Sequence, residues 1–116
     1  MRVTIRSADE DGTVWFDSPY GSAVARWAGS GPPPENGEVD VEIEIGEVAE
    51  VVPTAAGAPR ISTGQLIGLV ETTLGDELYA LRLGNSVLTV EMKSDPLPGQ
   101  WIAVRAEGFS LYPYAL

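Results

Sequence analysis

From Glu38 to Ile45 the chain alternates without a break, with Val39, Val41, Ile43 and Ile45 on odd positions and Glu38, Asp40, Glu42 and Glu44 on even ones. A period of two puts the odd side chains on one face of a strand and the even ones on the other, so this segment predicts a strand with one dry and one wet face. Looser alternation and β-branched content predict further strands at Val3–Ser7, Thr13–Asp17, Ala23–Ala28, Val48–Val52, Gly68–Thr72, Leu78–Leu83, Val87–Met92, Ile102–Glu107 and Phe109–Tyr112. Turn formers separate them: Asp11-Gly12, Pro19-Tyr20-Gly21, the run Pro32 to Gly37, Gly75-Asp76, Gly84-Asn85 and Pro96 to Gly99. No segment carries a useful helical period, and Thr63–Leu69 reads as the approach to a strand. Short strands at this spacing predict an all-β fold, a small antiparallel barrel of OB-like type.

The chain, at 116 residues, has the length of one domain. Pro53 to Gln65 is small, polar and carries two prolines, which predicts a long surface loop over residues 54–65. On either side of it the turns and strands follow a similar order, suggesting pseudo-repeat halves, 1–53 and 66–116, within one domain spanning 1–116. The matched features need gaps to align. The correspondence therefore reads either as an internal duplication or as the shared look of meanders punctuated by Pro-Gly turns, and the spacing suits one barrel or two.

Charge narrows the partners. Seven Lys and Arg stand against 17 Asp and Glu, a net charge of −10, and the cations Arg2, Arg6, Arg26, Arg60, Arg82, Lys93 and Arg105 are scattered singly. Phosphate backbones are repelled by such a field and basic proteins are attracted. With neither Cys nor His in the chain, disulfides, Cys or His zinc sites, thiol nucleophiles and His-based triads have no residues to use. No cofactor, metal or catalytic residue is predicted. The N-terminus lacks a signal-like apolar core and no apolar run is long enough to span a bilayer, so a cytoplasmic protein without a membrane partner is expected. Abundant Ala, Gly, Pro and Val, with Arg over Lys, suit a GC-rich bacterial genome.

The second half carries a resemblance. Gly68-Leu69-Val70, Leu78 to Leu83, Val87 to Val90, the Pro98-Gly99 turn leading into Trp101 to Val104, and finally Leu111-Tyr112 resemble small OB-type barrels, especially the TOBE modules of oxyanion transport proteins. In those modules a Pro-Gly turn introduces a central strand and a last strand closes the barrel. The resemblance implies a fold for residues 68–113. Their molybdate-binding members carry a Ser-Ala-Arg-Asn-like segment, of which Ile61 to Gln65 shares only the serine, so oxyanion binding is not implied.

The candidate binding residues follow from exposure. Glu38, Asp40, Glu42 and Glu44 make an acidic stripe on the wet face of one strand, too linear to wrap a metal ion. Asp9-Glu10-Asp11-Gly12 lacks the remaining ligands of a calcium loop and predicts a hairpin turn. Of Trp15 and Phe16 only one can face inward, and Trp27 reads as core. If Ile102, Val104 and Ala106 face the core, Trp101 faces out beside Arg105 and Glu107. Exposed aromatics near charge favour protein contacts. The C-terminal Tyr112-Pro113-Tyr114-Ala115-Leu116 is apolar for a chain end, which predicts docking on the body, the alternative being contact with a partner. These features predict a non-catalytic module presenting the acidic face, with Trp15 and Trp101, to a basic partner protein, as an inhibitor or immunity-like protein would. The alternative is an OB-like binder of single-stranded nucleic acid or a small ligand through its aromatics.

Overall fold

The computed structural model describes residues 1–55 and 57–114, and they form eleven strands and no helix. The strands are β1 (Arg2–Ala8), β2 (Thr13–Ser18), β3 (Gly21–Trp27), β4 (Glu38–Ile45), β5 (Val48–Pro53), β6 (Arg60–Ser62), β7 (Gln65–Gly75), β8 (Leu78–Leu83), β9 (Ser86–Glu91), β10 (Trp101–Ala106) and β11 (Phe109–Pro113). Every predicted strand is present, and β6 is an addition inside the expected loop. It pairs with the start of β7, buries Ile61 and donates the Ile61 N–H to the Tyr20 carbonyl at 3.0 Å.

Strands β1, β2 and β3 make an antiparallel meander, β4 returns beside β1, and β11 lies between β4 and β3, closing a five-stranded barrel in the order β1-β2-β3-β11-β4. The closing contact is parallel and short, matching Ser110 with Arg26 and Leu111 with Trp27. A bulge between Ile5 and Ser7 adds the bend that closure of a small barrel needs. The second sheet has the order β5-β10-β7-β8-β9, with β6 beside β7. It repeats the plan of the first: a three-strand meander, a fourth strand back against the first, and a fifth outside the fourth. In each sheet that fifth strand comes from the other half of the chain, β11 in the barrel and β5 in the second sheet. The sheets therefore do not follow the halves 1–53 and 66–116.

Alternation explains which residues are dry. Val3, Ile5, Val14, Phe16, Val41, Ile43, Phe109 and Leu111 fill the barrel, while Leu66, Val70, Leu81, Leu83, Val90, Ile102 and Val104 line the second sheet, and all belong to one contiguous buried cluster. Phe16 is the inward member of its pair and Trp15 the outward one. Trp27 is half-buried rather than core, and its indole N–H donates to the Gly31 carbonyl at 2.8 Å. Asp9 to Gly12 is the predicted turn, with the Thr13 N–H donated to the Asp11 carboxylate at 3.0 Å. That bond, and then the Arg26 charge, hold the Asp11 carboxyl below its usual range.

Tyr79 is buried, with its hydroxyl 3.2 Å from both the Ser94 carbonyl and the Asp95 carboxylate. Burial first, then Asp95 and Glu77, push the phenol above its ordinary pKa. A phenol raised in the folded state stabilises below its unfolded pKa of about 10 and ceases to do so as pH rises through the folded value. Stability should therefore fall from about pH 10 upward. Tyr79→Phe should cost about 1 kcal/mol at neutral pH and flatten the alkaline loss, as read from urea midpoints between pH 7 and 11.

Candidate functional site

The acidic stripe is where the alternation places it. Glu38, Asp40, Glu42 and Glu44 are all exposed on the outer face of β4, because Val41 and Ile43 take the interior. Alternate carboxylates on one strand face are about 6.5 to 7 Å apart. At that separation in water each neighbouring pair repels by about 0.6 kcal/mol.

The two ends of the stripe differ. On one side β1 brings Arg2 opposite Asp40, with guanidinium contacts of 3.3 Å to Asp40 and 3.6 Å to Glu38. All three side chains are more than half exposed, so the contacts balance charge locally and add little stability. On the other side β11 sets Tyr112 opposite Glu42 and Ser110 opposite Glu44. Among the described residues neither Glu42 nor Glu44 has an ion-pair partner.

Two tyrosines complete this face. Tyr112 is 41% exposed and Tyr114 56%, and the Tyr114 N–H donates to the Asp40 carbonyl at 3.1 Å, which continues the β11 register along β4. Of the C-terminal segment expected to dock on the body, Tyr112, Pro113 and Tyr114 lie along β4 through their backbone while both tyrosine rings stay exposed; Ala115 and Leu116 lie outside the described residues. The signal was present in the alternation of Phe109, Leu111 and Pro113 with Ser110, Tyr112 and Tyr114. Its use required knowing that β11 lies against β4.

Trp15 and Trp101 do not converge on the stripe. Trp15 is 47% exposed on the outer face of β2, opposite Ser7 and Val24, with β1 between it and β4. Nearby, Arg6 is paired with Asp17, whose carboxyl also accepts from the Ser22 hydroxyl at 2.6 Å; the Ser22 bond first and Arg6 second hold Asp17 below its usual range. Trp101 is half-buried on the outer face of the second sheet, opposite Leu69. There Val52, Ala103 and Ile67 form the adjacent row, and Arg105 is paired with Glu50 at 3.0 Å.

The described residues contain no group of three or more acids placed to hold a metal ion, and no buried side-chain polar atom without a partner. None of their helices could span a membrane, because there are none. Comparison of the chain with protein-family models, with curated proteins and with solved structures gives no match.

Proposed function

We propose that this protein is a non-catalytic interaction module whose β4–β11 face docks a basic partner protein. The observation that carries the reading is the pair of unneutralised carboxylates, Glu42 and Glu44, beside the exposed rings of Tyr112 and Tyr114. A partner arginine would find carboxylates for its guanidinium edge and a phenol ring for its face. Tyrosine also gives contact area at little entropic cost, and the net charge of −10 speeds encounter with a cationic protein. Masking a cationic enzyme, in the manner of an inhibitor or immunity protein, is the specific form this suggests. Trp15 and Trp101 lie away from this face.

The test is retention of host proteins at low and moderate salt by the native chain and by the double variant Glu42→Lys/Glu44→Lys. A basic protein should be retained, be released as salt rises, and bind the variant at least about tenfold more weakly at an unchanged melting temperature. Equal affinity for both forms would overturn the reading. The single-strand binder is the second reading, because Trp15 stands half exposed with Arg6 and Arg26 on the flanking strands. Quenching of tryptophan fluorescence by an oligonucleotide at low salt, weakening as salt rises, supports it; no quenching removes it.

A further inference from the structure

We infer that the open seam between β5 and β9 accepts an extended, basic segment of a partner protein as an added strand. In the barrel, the third strand of the meander and the fifth strand meet, as β3 and β11. In the second sheet the corresponding strands are β9 and β5, and no pairing joins them. Between them lies a cleft of about 620 Å³, lined by residues 45–51 and 90–94. That volume is within the range of ligand-binding clefts.

Both walls offer free backbone groups. The Thr54 N–H donates to the Trp101 carbonyl, so the alternation of an antiparallel ladder bonds Val52 and Glu50 to β10 and turns the N–H and C=O of Val51 toward the cleft. On the other wall the Met92 N–H donates to the Glu77 carbonyl, which by the same alternation turns the polar groups of Glu91 away from β8. Pro53 lies on the free edge of β5, where its missing N–H leaves no bond to β10 unmade.

Strand direction favours an inserted strand over direct closure. Four successive antiparallel pairings, β5 with β10, β10 with β7, β7 with β8 and β8 with β9, make β5 and β9 run the same way. One added strand running opposite to both completes a barrel with antiparallel ladders throughout, the slightly stronger kind, and buries two edges at once. The β5 wall, Val48 to Val51, spans about four residues, or about 13 Å of extended chain. Their charge selects the occupant. Glu50 is engaged by Arg105, while Glu47 and Glu91 have no ion-pair partner among the described residues, against the single cation Lys93. A strand carrying lysine or arginine on alternate positions satisfies both edges and both acids, which is strand addition with charge selection.

The cleft begins at Ile45, the last residue of β4, so it adjoins the β4–β11 face, and the experiment keeps the two apart. The probe is a blocked seven-residue peptide of alternating lysine and valine, added to the full chain, with amide exchange followed residue by residue. Expected is at least about tenfold slower exchange at Val51 and Glu91 at saturation. A peptide of the same sequence with alternate amides N-methylated should bind about tenfold more weakly or worse, and so should the native peptide to Glu47→Lys/Glu91→Lys, whereas Glu42→Lys/Glu44→Lys should keep the protection. Unchanged exchange at both amides, or equal binding of the N-methylated peptide, would overturn the inference. So would protection confined to β4, an outcome that leaves the proposed docking face standing.

Discussion

Gly21→Ala should destabilise the protein by about 3 kcal/mol or more, several times the effect of Gly12→Ala. Both glycines hold positive φ, +137° at Gly21 and +90° at Gly12, so both substitutions incur backbone strain. The surroundings separate them. A Cβ at Gly12 meets nothing within 4 Å, whereas a Cβ at Gly21 falls directly on the carbonyl oxygen of Ile61, a backbone atom that no rotamer change can move. This is the place where β6 lies against the start of β3. The Tyr20 carbonyl accepts the Ile61 N–H there, the Ser18 hydroxyl donates to the Gly21 carbonyl at 2.8 Å, and the Tyr20 hydroxyl accepts the Asn85 N–H from the second sheet at 3.3 Å. Displacing β6 to admit a methyl group would therefore disturb the contact between the two sheets. Urea midpoints of the two variants decide the point, and equal losses would mean that β6 yields freely and ties nothing together.

The strands were legible because each buries one face, and burial writes a period of two into the residues. The same rule put the acidic stripe of β4 in water and one of Trp15 and Phe16 inside without saying which, while Trp27, expected in the core, stands half-buried. Strand β6 was not legible, since Arg60-Ile61-Ser62 holds one apolar residue and three positions have no period to read. Nor was strand order. Alternation tells a strand which face is dry but says nothing of its neighbours, so the crossing of β5 and β11 between the two halves left no mark in the pattern. The candidate site shares that limit: its carboxylates were visible in β4, while Arg2, which covers two of them, and Tyr112 and Tyr114, which flank the others, arrive from strands distant in sequence. Trp15 and Trp101 are outward-facing, as a surface role requires, but the sheets carry them away from the stripe.

The exchange of closing strands makes a further demand, on cooperativity. Leu111 is fully buried in the barrel, on a strand that the last part of the chain contributes, and Leu111→Ala should cost about 2 to 5 kcal/mol. For a chain of this size that lowers the melting temperature by roughly 10 °C or more. The informative quantity is which tryptophans report it. Trp15 and Trp27 lie on barrel strands and Trp101 on the second sheet, so variants retaining either the pair or Trp101 alone read the two sheets separately. The buried residues of both sheets form one contiguous cluster, and β5 and β11 cannot leave their places without opening the sheet of the opposite half. Loss of packing at Leu111 should consequently move both signals together, by the same amount and in one transition. If Trp101 keeps its original midpoint while Trp15 and Trp27 melt early, the second sheet holds its structure without the barrel, and the strand exchange joins two units that fold separately.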